Sequence, residues 1–242
     1  MRNFKVLLLL LFLSACAIQQ SNSSSKFETK PVASFSEKYI GTELNNSLQW
    51  LGIPYAQPPE GSLRWKAPRA LQKNDKKIKA TDFGNPCPQV ASISIDRKAG
   101  GDYIGSEDCL YLNIFTPKNL DADKKLPVMF WIHGGGNTSG EAGSYDFSKL
   151  AAAHDLVIVS VNYRLGFLGW FYHPSFAATS NSLEDKSGNF GTLDQIMALK
   201  WVRDNIEDFG GNKNNVTIFG ESAGGHNVFA LLSSKLATGL FH

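Results

Sequence analysis

The chain has 242 residues, of which 43% are hydrophobic and 19% charged, with a formal net charge of +2. That is enough apolar surface for a globular core, and it argues against an intrinsically disordered chain. No run of Lys and Arg is interleaved with aromatic side chains that could stack on bases, which argues against a nucleic-acid partner.

At the N-terminus Arg2 and Lys5 precede an apolar stretch, Val6 to Leu13. It is too short to span a bilayer and suits a signal peptide. It ends in Leu13-Ser14-Ala15-Cys16, which resembles the bacterial lipobox, where the Cys thiol receives a diacylglycerol. Residues 1–15 are therefore expected to be a lipoprotein signal peptide, with Cys16 lipidated. The alternative is a plain secretory cleavage site with Cys16 a bystander. Ala17, rather than Asp, favours the outer membrane by resemblance to bacterial sorting patterns. Residues 16–35, polar and aperiodic, are expected to form a tether, and residues 36–242 one folded domain. With Cys16 assigned to lipid, Cys87 and Cys109 remain as a pair in an oxidising compartment, where a disulfide would add about 3 kcal/mol. Two buried free thiols are the alternative.

Leu48 to Ile53 and Leu110 to Phe115 are expected as strands in an antiparallel flank. Val128 to His133, Leu156 to Tyr163 and Val216 to Phe219 are apolar with little alternation, as in central strands of a largely parallel sheet covered on both faces. Between them Phe147 to His154 reads as a helix. A longer one is expected from near Thr192, with Thr192 and Gln195 in capping-box spacing. Its apolar positions Leu193, Ile196, Met197, Trp201, Val202 and Ile206 recur at helical spacing, and Gly210-Gly211 supplies the stop. Strands alternating with helices predict an α/β fold. No internal repeat is present.

Two motifs carry chemistry. Gly220-Glu221-Ser222-Ala223-Gly224 has the form G-x-S-x-G and lies between the strand ending at Phe219 and an apolar helical stretch, Val228 to Leu236. A nucleophile elbow requires this strand-turn-helix setting. The glycines leave room for a tight turn from which the Ser222 hydroxyl projects. The second motif is His133-Gly134-Gly135-Gly136 at the end of a strand. Consecutive glycines let backbone N–H groups converge on the oxygen that becomes negative when an ester carbonyl is attacked. Gly135, Gly136 and the N–H of Ala223 are the candidate oxyanion hole. His133 and Gly134 would support it from the strand end. No cofactor or metal is implied.

With these motifs in place, Trp50-Leu51-Gly52-Ile53-Pro54-Tyr55-Ala56, Glu107-Asp108-Cys109-Leu110-Tyr111-Leu112-Asn113, Asn162-Tyr163-Arg164-Leu165-Gly166 and Gly188-Asn189-Phe190-Gly191 followed by Asp194-Gln195 resemble the type-B carboxylesterases, in the same order. The resemblance implies an α/β-hydrolase fold and hydrolysis of small-molecule carboxylic esters through an acyl-enzyme on Ser222. It implies a Cys87–Cys109 disulfide and ion pairs Arg64–Glu107 and Arg164–Asp194 that hold loops around the site. Glu221 matches a glutamate that orders the site; from the residues alone it is equally a capping carboxylate. Two departures bear on substrate. Asn137 stands where the family usually has a bulky aromatic, and no Trp lies between Cys87 and Cys109 to hold a quaternary ammonium, which disfavours choline esters.

In this fold the triad acid and histidine follow the nucleophile. After Ser222 there is no Asp or Glu, and the histidines are His226 and His242. Neither makes a credible base, while His154 and His173 are expected on the surface. The chain is thus expected to be the N-terminal half of an α/β-hydrolase, cut after the elbow helix and inactive alone. The alternatives are a non-catalytic binding module of the same fold or an inactive truncated product. No protein partner is implied.

Overall fold

The computed structural model describes residues 27–28, 32–33, 38–72, 77–91, 102–121, 124–178, 180 and 182–242. The expected signal segment, Cys16 and most of the tether lie outside them. The molecule is organised on a seven-stranded mixed sheet. Its strands in chain order are β1 (Phe27–Glu28), β2 (Thr42–Leu44), β3 (Ser47–Pro54), β4 (Tyr111–Pro117), β5 (Leu126–Ile132), β6 (Val157–Val161) and β7 (Gly211–Gly220), and they lie side by side as β1-β2-β3-β4-β6-β5-β7. The pairs from β1 through β4 to β6 are antiparallel, whereas β6–β5 and β5–β7 are parallel. The expectation of a largely parallel sheet is corrected to this extent: the three apolar runs are parallel to one another, and an antiparallel flank of four strands adjoins them. The β1 pairing falls inside the stretch expected to be tether, as does Val32–Ala33, which pairs with Lys38–Tyr39. Two short described segments upstream of residue 36 thus take part in strand pairing, one on the edge of this sheet and one in a separate three-stranded sheet.

Helices cover both faces. On one, α1 (Ser148–His154) sets Ala151 against Phe115 and Ile158. On the other, α2 (Phe190–Asn205) and α3 (Ala223–Ser233) pack on Val128, Phe130, Ile132, Val157, Val159 and Val161. The strict alternation in β6, with Ile158 in one cluster and Val157, Val159 and Val161 in the other, is the two-residue period of a strand buried on both sides. In α2, Leu193, Ile196, Leu199 and Val202 recur at three-residue intervals along its buried face.

The ends of α2 differ in how well sequence anticipates them. The α-helix itself ends at Asn205 and tightens into a 3-10 turn, Ile206–Phe209, and it is this turn that Gly210, at φ +81°, stops in the left-handed conformation. The Thr192–Gln195 capping box does not form. The helix starts earlier, at Phe190, after Asn189, and Thr192 lies inside it with its hydroxyl accepting a 3.3 Å hydrogen bond from Trp170 Nε1. The Gln195 side chain is fully buried, with neither amide atom hydrogen-bonded.

Candidate active site

β5 and β7 are adjacent and parallel, and their register pairs Ile132 with Gly220, so both strands end at the same level. The chain leaves β5 as His133-Gly134-Gly135-Gly136 and β7 as Glu221-Ser222. The two motifs, 88 residues apart in sequence, thus emerge side by side from the carboxyl ends of neighbouring strands, where α/β sheets gather their ligands.

Ser222 stands at the N-cap of α3 with φ 54° and ψ −120°, a region that side-chain-bearing residues rarely enter, and it is exposed. The turn tolerates no bulk on either side. A Cβ on Gly220 would lie 2.5 Å from the Gly224 carbonyl carbon, and one on Gly224 would run into the Ile132 carbonyl oxygen. Gly134 meets the elbow directly. A Cβ there would be 3.1 Å from Ser222 Cβ and 2.8 Å from Glu221 O, and would collide with the Glu221 carboxylate. Glu221 therefore borders the glycine loop; it is exposed, and α3 has no side-chain cap.

The loop is shaped by positive φ angles at Gly135 (+95°), Gly136 (+65°), Asn137 (+58°) and Gly140 (+112°). The Gly135 carbonyl turns inward to accept the N–H groups of Thr138 (3.1 Å) and Ser139 (3.0 Å). Among the described residues, the N–H groups of Gly135, Gly136 and Ala223 make no backbone hydrogen bond, so they remain available as donors. His133 anchors the loop at its root. It is 1% exposed, stacks on Tyr163 with ring centroids 4.4 Å apart, and its Nδ1 bonds Gly134 O at 2.9 Å. Burial pulls its pKa down to about 4, against a smaller upward effect of that hydrogen bond, so the ring is neutral at pH 7. Its ring contacts are thus with the loop and with Tyr163, and among the described residues no hydrogen bond joins it to Ser222. His154, His173, His226 and His242 are exposed. His226 follows Ser222 by one helical turn, its backbone N–H donating to Ser222 O.

Several supports hold the surroundings. Cys87 and Cys109 are joined in a disulfide. Two residues on, the buried Gln89 clasps Gly140 at two points, Nε2 donating to its carbonyl (3.0 Å) and Oε1 accepting its N–H (2.7 Å). Arg164 and Asp194 form a fully buried pair, Nη2–Oδ1 2.7 Å and Nε–Oδ2 2.8 Å, tying the segment after β6 to α2. Arg64 and Glu107 also pair, Nε–Oε2 2.7 Å, but half in solvent. A third pair, Arg69–Asp185 at 2.7 Å, was not anticipated. Burial would raise the Asp185 pKa, but hydrogen bonds from Arg69, Ala67 N–H and Ser180 outweigh it and lower it. Among the described residues no cluster of His, Cys, Asp and Glu is arranged to hold a metal.

Residues 36–242 match the family model described as the carboxylesterase family. Carboxylesterase 1D of Rattus norvegicus is 42% identical over 241 residues, covering 96% of this chain and 41% of the relative. Para-nitrobenzyl esterase of Bacillus subtilis (strain 168) is 46% identical over 213 residues, 84% of this chain and 40% of the relative. Among solved structures, a thermophilic pNB esterase superposes with TM-score 0.77 at 43% identity, over 88% of this chain and 42% of that one. A Geobacillus stearothermophilus carboxylesterase superposes with TM-score 0.76 at 38% identity, with the same coverage. The chain thus spans about two fifths of the length of these relatives. By the extent of that match and by its strand order, the chain belongs to the carboxylesterase family and carries the α/β-hydrolase fold.

Proposed function

We propose that this chain supplies the nucleophile and the oxyanion donors of a serine carboxylesterase that cleaves small carboxylic esters through an acyl-enzyme on Ser222. The observation that carries this is the exposed Ser222 held in a strained backbone conformation directly against Gly134. A binding module gains nothing from such strain, which costs about 1–3 kcal/mol. In this scheme the Ser222 oxygen attacks the ester carbonyl, the N–H groups of Gly135, Gly136 and Ala223 stabilise the resulting oxyanion, and the alcohol departs. Loss of one such donor typically costs about 3 kcal/mol in the barrier. Glu221 and the neutral His133 hold the elbow and loop in place.

Attack also needs a proton acceptor, and none is oriented toward Ser222 among the described residues. The 242 residues by themselves are therefore expected to turn over no ester beyond a small residual rate. The test is fluorophosphonate labelling and p-nitrophenyl butyrate hydrolysis in three proteins: the 242-residue chain, the same chain extended by whatever coding sequence follows, and the extended chain with Ser222→Ala. Labelling and turnover are expected only where Ser222 and an added base are both present. Full activity in Ser222→Ala would remove Ser222 from the mechanism, and brisk turnover by the 242-residue chain would contradict the need for an outside base.

The proposal extends to location. Cys16 in its lipobox setting supports export and anchoring to the bacterial envelope, with the outer membrane favoured, and the Cys87–Cys109 disulfide accords with an oxidising compartment. Radioactive palmitate should label the precursor expressed in a bacterium, and Cys16→Ser should abolish the label; a label that survives the substitution refutes the anchor.

A further inference from the structure

The two sources of oxyanion donors lie on separate segments, Gly135 and Gly136 on the loop after β5 and Ala223 at the start of α3. Donors must be held within about 0.5 Å of their working positions to stabilise an oxyanion. A run of three glycines gives the loop little stiffness of its own. Two ties fix the loop without touching α3: Gln89 holds Gly140, as described above, and the Gly166 N–H donates to Asn137 O at 2.7 Å. Neither sets the spacing between the loop and Ala223.

One side-chain hydrogen bond does. Asn227 Nδ2 donates to Asn137 Oδ1 at 2.9 Å, and among the described residues it is the sole side-chain hydrogen bond joining the loop 134–140 to α3. Asn227 is 4% exposed and lies four residues beyond Ala223, on the same face of the helix one turn along. At the root of the same loop, the Tyr163 hydroxyl donates to His133 O at 2.6 Å. Asn137 holds φ +58°, a conformation that Asn tolerates better than other side-chain-bearing residues, and there its carboxamide meets the helix. We infer that Asn137 and Asn227 are positioning residues: their hydrogen bond sets the distance between the loop donors and the Ala223 donor, and so the width of the oxyanion hole. This rests on the esterase function proposed above for Ser222.

Because oxyanion donors act on the transition state, loosening them should lower kcat and leave KM nearly unchanged. The experiment uses the extended, active enzyme and a double-mutant cycle of Asn137→Gly, which keeps the positive φ open, and Asn227→Ala. Each single change is expected to lower kcat about tenfold, a misplacement effect, with KM moved less than about twofold. The double variant should be no worse than either single one, since both remove the same bond. Hydrogen exchange of the Thr138, Ser139 and Gly166 amides is read alongside in the 242-residue chain and should quicken in both variants. Wild-type kcat in either variant, losses that multiply in the double, or unchanged exchange would overturn the inference. Exchange needs no chemistry, so an inert wild-type enzyme would count against Ser222 while the amides still decide the Asn137–Asn227 tie.

Discussion

The root of the glycine loop makes a prediction about acid. His133 is 1% exposed, and burial brings its pKa from an ordinary 6.5 down to about 4. Between those values the unfolded chain binds a proton at this ring that the folded chain refuses, so stability is complete above pH 6.5 and falls as the pH drops toward 4. The gap, at 1.36 kcal/mol per pH unit, comes to about 3 kcal/mol. The perturbation is His133→Phe, which keeps a ring to stack on Tyr163 and removes the titration. Urea unfolding of both proteins at half-unit steps from pH 7.5 to 4 gives two stability curves. Their difference cancels the acid loss from carboxylates, which both proteins share. The wild type should lose about 3 kcal/mol more than His133→Phe over this range, most of it between pH 6 and 4.5. A difference curve flat to within about 0.5 kcal/mol would refute the burial of a neutral His133 as the source of acid sensitivity.

The elbow and its supports give three more. Ser222→Gly should release the strain at φ 54° and raise stability by about 1–3 kcal/mol in urea unfolding while abolishing fluorophosphonate labelling of the extended enzyme. Gly224→Ala pushes a methyl into the Ile132 carbonyl oxygen and is expected to cost about 3 kcal/mol, read as a lowered melting temperature; an unchanged melt would mean that α3 can lift away from β5 at no cost. Asp194→Asn leaves the Arg164 guanidinium buried without its counter-charge and should cost about 3–5 kcal/mol, far more than Glu107→Gln at the half-exposed Arg64 pair.

What could be read in advance depended on whether the cause was local. The elbow and the glycine loop are constrained by their own backbone geometry, so the residues themselves announce Ser222 and Gly134–Gly136. Strand positions were legible because β5 and β6 are apolar on both faces, and the end of the helical segment because Gly210 turns left-handed after the 3-10 turn that follows α2. The start of α2 was misplaced because Thr192 and Gln195 have capping spacing, yet the helix is entered two residues earlier and Gln195 faces the core. Family resemblance supplied Arg164–Asp194, and it added to the cysteine count in pointing to Cys87–Cys109. Neither route reached Arg69–Asp185, Gln89–Gly140 or Asn137–Asn227, whose partners lie 116, 51 and 90 residues apart. Each is an ordinary polar side chain until the sheet brings its partner within reach.

Gln89 grips Gly140 from a position two residues past Cys87, so the sulfur bridge and the glycine loop are mechanically one unit. Opening the bridge with a thiol reductant removes one restraint from the segment that carries Gln89 and leaves it to its short pairing with Tyr103–Ile104, while the sheet and Ser222 depend on other contacts. Protein made in a reducing cytosol would then match oxidised material in circular dichroism and differ in how fast its serine reacts. The choice of expression host becomes a variable of the chemistry, and a preparation judged only by its secondary structure would pass inspection with its oxyanion donors out of line.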